Sequence, residues 1–178
     1  YVQYQVWSDA GQSGTLIKDW TTIASGIGDN YYTTDWNVEF SALQQGYNYV
    51  SVRAYDNLGK LGTFADVFYI KKDTQAPTIS DKQTGDDNWY SSNPGAVFDV
   101  DFSDSLSLFT TASYTIYSST YITGQPVIDW SLIVSTNTSS YTNNWGIDFA
   151  ALPSGKFYVF VKARDSAGNE KTNSEGYL

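Results

Sequence analysis

The chain has 178 residues, 41% of them hydrophobic and 17% aromatic, enough to bury a core. Its 19 acidic against 10 basic residues give a net charge of −9, which excludes a basic surface for nucleic acid or anionic lipid and suits cations such as calcium. There is no His and no Cys, which excludes histidine-based zinc sites, Ser-His-Asp and Cys-His catalysis, disulfides and iron–sulfur clusters.

The chain also lacks Met, so it reads as a processed product or a piece of a longer polypeptide. No run of about 18 apolar residues is present, so no membrane insertion is expected. Alternating, β-branched and aromatic stretches predict strands over 2–7, 16–23, 31–40, 47–55 and 62–71. The strand over 47–55 sorts its side chains cleanly. Val50, Val52 and Ala54 share one face, with Tyr49, Ser51, Arg53 and Tyr55 on the other. "YDNLGK" follows. Asp at the first turn position and Gly at the fourth predict a type I turn closed by a G1 bulge.

"KKDTQAPTIS" (71–80) marks a boundary, because Pro77 breaks any ladder and holds Ala76 extended. It divides the chain into 1–73 and 74–178. Beyond it, strands are predicted over 77–80, 96–102, 113–118, 127–133, 140–149, 156–164 and 170–177. The strand over 156–164 again alternates. Val159, Val161 and Ala163 form the core face, and Tyr158, Phe160, Lys162 and Arg164 point away. "RDSAGN" then repeats the hairpin chemistry.

The chain matches itself at a step of 109 or 110. "YQVWS" (4–8) meets "YTIYS" (114–118), and "IKDWTTI" (17–23) meets "VIDWSLI" (127–133). Trp36 meets Trp145, Gly46 meets Gly155, Asp56 meets Asp165 and Gly59 meets Gly168. Residues 76–113 have no earlier counterpart. The expected architecture is all-β: tandem β-sandwiches, the first lacking its first two strands, the second nearly complete but short of the end of its last strand.

"DTQAPTIS", "FDVDFSD" and "LPSGKFYVFVKARDSAGNE" resemble bacterial Ig-like domains of the fibronectin type III-like kind. The resemblance covers essentially the whole chain. It implies a non-enzymatic segment of a secreted or cell-surface array, acting as stalk, spacer or adhesive module. Its partners would be neighbouring repeats or copies of itself, or a surface glycan or protein. It also implies calcium at domain junctions. In such a sandwich the incoming linker, one loop and the last hairpin lie at one end. Asp73, Asp104 and Asp165, with Asp101 nearby, then form a candidate Ca²⁺ site, although each Asp can equally cap its own turn.

Two other roles stay open at this level: subunit of an extracellular filament, and accessory carbohydrate-binding module of a secreted enzyme. Trp7, Trp89, Tyr49, Tyr55, Tyr158 and Phe160 are the candidate ligand or partner contacts, and Trp89 is expected to pack back from the loop 85–95. Trp20/Trp130 and Trp36/Trp145 recur in both copies and suit fold maintenance.

Overall fold

The computed structural model describes residues 1–84, 88–173 and 176. The chain forms two compact units, Tyr1–Asp73 and Thr74–Leu178. All its strand pairings are antiparallel.

The first unit holds β1 (Val2–Asp9), β2 (Ser13–Ala24), β3 (Gly46–Tyr55) and β4 (Leu61–Lys72) in one sheet of order β2-β1-β3-β4. Alternation decides which side becomes the core. Tyr4, Val6 and Val50 are buried on the inner face, where Leu43 joins them from the β2–β3 connection. Ile17, Ile23, Trp36, Val38, Val52 and Ile70 pack around this group.

The second unit holds β5 (Thr78–Asp81), β6 (Val100–Ser103), β7 (Phe109–Tyr117), β8 (Ile128–Thr138), β9 (Ser140–Tyr141), β10 (Tyr158–Asp165) and β11 (Glu170–Thr172). These make two sheets, β11-β10-β7-β8 and β5-β6-β9, consistent with a β-sandwich. Val100 and Phe102 of β6 pack with Phe109, Ala112, Tyr114, Ile116, Val159, Val161 and Ala163 in one buried cluster. Phe102 stacks on Phe109 at a centroid distance of 5.7 Å.

Strand for strand, β2-β1-β3-β4 and β8-β7-β10-β11 have the same order. The hairpin after the third strand is also built identically. The Asp56 N–H donates to the Lys60 carbonyl (3.1 Å), and the Asp165 N–H donates to the Asn169 carbonyl (3.1 Å). The Asp56 carboxylate accepts from the N–H groups of Leu58 and Lys60, and the Asp165 carboxylate accepts from the N–H of Asn169. Gly59 (φ +76°) and Gly168 (φ +91°) take the left-handed position that a side chain would strain.

A shared tether recurs as well. The Tyr4 hydroxyl accepts from the backbone N–H of Glu39 (3.4 Å), and the Tyr114 hydroxyl accepts from that of Asp148 (3.0 Å). A short 3₁₀ turn follows each, Phe40–Ala42 and Phe149–Ala151.

The structure departs from the expected strands in several places. No strand forms over 31–40. Trp36 still turns inward, tilted against Tyr4 at 5.5 Å, but the backbone around it runs irregularly. Its counterpart, 140–149, is strand only at β9, where Ser140 and Tyr141 pair with β6, and Trp145 bridges to Phe98. In the first unit no second sheet offers a neighbour to pair with, so extended propensity alone does not make a strand. At the chain's end β11 is short, and residues 174, 175, 177 and 178 lie outside the described set.

Candidate functional site

Within the second unit, Asp104 and Asp165 each place a carboxylate oxygen so that the two lie within 4.8 Å of one another. Local chemistry fixes each one. Asp104 follows β6 and is buried; one of its oxygens accepts from the N–H groups of Leu106, Ser107 and Leu108 (3.0, 2.7 and 3.0 Å). This winds residues 104–108 into a tight loop, with Leu108 at φ +76°. Asp165 ends β10 and is 2% exposed, its two oxygens accepting from the N–H and the side-chain amide of Asn169 (both 2.8 Å). The loop and the hairpin are tied together by the bond from the Ser166 N–H to the Leu108 carbonyl (3.0 Å) and by the Ser166 hydroxyl on the Ser107 carbonyl. Asp73 is half-buried at the point where the chain reaches the second unit, four residues before the buried Pro77.

Asp101 does not join them. It sits inside β6, opposite Ser80, and is half-buried. Within the second unit the structure brings Asp104 and Asp165 together; Asp73 closes the first unit.

The donor set is all carboxylate oxygen, which suits a hard cation. Two oxygens on opposite sides of a Ca²⁺ ion stand about 4.6–5.2 Å apart, so the observed spacing fits one ion between them.

The aromatic candidates scatter. Trp7 is half-buried, its indole N–H donating to the Gln5 side-chain oxygen (2.8 Å). Tyr49 belongs to a ring cluster with Tyr47 and Tyr69, two residues the sequence reading passed over, each 6.1 Å from it. Tyr55 stacks on Tyr1 at 4.5 Å. Tyr158 is half-buried.

Two aromatic expectations are corrected. Phe160 is fully buried and meets Tyr117 edge-on at 5.7 Å, so it is not an outward contact. Gly176 lies against it: a Cβ there would be 2.6 Å from the Cβ of Tyr158 and 3.0 Å from the Phe160 ring. Trp89 does not pack back; it is 87% exposed, at the rim of a cavity of about 420 Å³ that Phe98, Ile147, Leu152 and Phe157 also line. Residues 85–87 of that loop lie outside the described set.

The recurring Trp20 and Trp130 lie under cations. The Arg53 guanidinium is 4.1 Å from the Trp20 ring, and the Lys162 ammonium is 4.6 Å from the Trp130 ring. The tether formed by Tyr4 and Tyr114 was missed by sequence reasoning. Its signal was present in "YQVWS" and "YTIYS", which keep Tyr at the first position of the matched strand. Among the described residues, no helix is long and apolar enough to cross a membrane. No protein-family model matches the chain, and it matches no curated protein.

Proposed function

We propose that the chain is part of an extracellular array of tandem Ig-like β-sandwiches, acting as a non-enzymatic stalk, spacer or adhesive module. One observation carries this reading. The same four-stranded sheet, with the same strand order and the same Asp-to-Gly hairpin, is built twice in succession. Repetition of a module extends a chain in space, and it does so without needing a cleft. The intact mass of the native polypeptide, together with peptides released by protease from whole cells or medium, tests it. We expect a mass far above 19.8 kDa and surface or secreted peptides. A wholly intracellular product would overturn it.

The Asp104–Asp165 pair supports a divalent cation, Ca²⁺ by its oxygen donors, as part of the same reading. The ion would tie the loop after β6 to the hairpin after β10. At free Ca²⁺ one hundred times Kd, a single site adds about 2.7 kcal/mol. Melting with Ca²⁺ against EDTA checks this: a rise is expected in the parent chain and none in Asp104→Asn/Asp165→Asn. An unchanged parent Tm rejects the ion.

A second reading, an accessory sugar-binding module, is favoured by the exposed Trp89 beside an apolar-floored cavity. Quenching of Trp fluorescence by oligosaccharides, abolished by Trp89→Ala, would support it.

A further inference from the structure

The inner face of the first unit's sheet is covered over only part of its area. Tyr4, Val6 and Val50 are sealed by Trp36, Val38 and Leu43. Further along the same face, Val2 and Val52 are half-exposed and Ala54 is exposed. Phe64, which pairs with Val52 and so shares its face, is 73% exposed. At the matching places in the second unit, Ala112, Val161 and Ala163 are at most 1% exposed. What seals them there is β6, through Val100 and Phe102.

A second feature points to the same missing neighbour. Residues 31–36 carry no strand pairing, whereas their counterparts pair with β6 at Tyr141–Phe102 and Ser140–Ser103 and bridge to the segment just before it at Trp145–Phe98. The occupant must therefore offer both apolar side chains to the sheet face and a backbone edge to 31–36. Lipid or sugar supplies no such edge; an extended polypeptide supplies both.

We propose that this face is a docking surface for two β-strands with the pattern of residues 76–103, supplied, on the tandem-repeat reading, by a further copy of that segment. The inner strand carries an apolar residue at every second position, as Val100-Asp101-Phe102 does. The identity of the occupant comes from the repeat itself: equivalent strands already seat on the equivalent face in the second unit. The inference rests on the tandem-repeat reading and not on the stalk role.

The test is a chain in which residues 74–110 are placed ahead of Tyr1, restoring the step of 110 that relates Tyr4 to Tyr114. The expected results are slowed amide exchange at 31–36 and at Val52–Ala54, a blue shift of Trp36 emission, and a rise of about 5–10 °C in the first unit's melting transition. The same graft carrying Val100→Asp and Phe102→Asp only in the added copy should lose all three gains. A graft that stays protease-sensitive and leaves Trp36 unchanged, with the second unit melting normally, overturns the proposal. So does sedimentation of the 178-residue chain as a dimer in which Val52–Ala54 are protected, because the occupant is then a second copy. Neither failure touches the stalk reading, which the intact mass decides.

Discussion

Val52 and Val161 occupy the same place in the same strand of the same sheet, yet Val52 is half-exposed and Val161 is sealed. The two units share strand order, hairpin and Tyr tether. They differ in what lies over the inner face. Local features thus repeat with the local sequence, while burial depends on a second layer from elsewhere in the chain. Among the described residues the second unit buries ten hydrophobic residues in its core cluster, the first four, so their stabilities should respond differently to the same change.

Deleting the cover itself should have the largest effect. Phe102→Ala should destabilise the second unit by about 3–5 kcal/mol and leave the first unchanged. Denaturant unfolding followed by residue-resolved NMR separates the two. A smaller, sharper contrast comes from the matched valines. Val161→Ala should cost roughly 2 kcal/mol, from two buried methyl-sized groups and the gap they leave, and Val52→Ala under about 1 kcal/mol. Equal losses would break the comparison.

The hairpins should behave alike. Nothing lies within 4 Å of a Cβ at Gly59, and only the Arg164 guanidinium lies near one at Gly168, at an ordinary 3.6 Å. The cost of Ala at either site is then backbone strain alone, about 1 kcal/mol in both units. Paired Tm measurements check this equality.

The smallest effect belongs to the exposed Lys18–Glu39 pair. Their mutual hydrogen bond, then their charge attraction, raises the Lys18 pKa above its usual value and lowers that of Glu39. The Glu39 contribution is present above its unfolded pKa and lost as pH falls through the lowered folded value. The Lys18 contribution is complete below its unfolded pKa and lost as pH rises through the raised one. Tm of the parent minus Glu39→Gln should therefore be flat near neutrality, shrink at both extremes and fall with salt.

Much of this was legible in the sequence. The period-2 alternation of Val50, Val52 and Ala54 and of Val159, Val161 and Ala163 identified the inward faces. Asp56 with Gly59 and Asp165 with Gly168 wrote their turns within a few residues. The approach of Asp104 and Asp165 within the second unit followed once a sandwich end was assumed. What was illegible is non-local. Residues 31–40 have strand composition, but a strand needs a partner, and none is present in the first unit. Phe160 alternates outward as expected; Gly176 then lies against it, which no period in β10 can announce. Trp89 is large and apolar, and only the surrounding loop decides that it stands in solvent.

The unequal covering of two equal sheets is tested most directly by native-state hydrogen exchange. β3 pairs β1 over residues 49–54 as β10 pairs β7 over residues 158–163, so the comparison is made on matched registers of the inner strands. Amides at Val50–Ala54 should open with at least about tenfold lower protection than those at Val159–Ala163. Equal protection at the two sets would contradict the account.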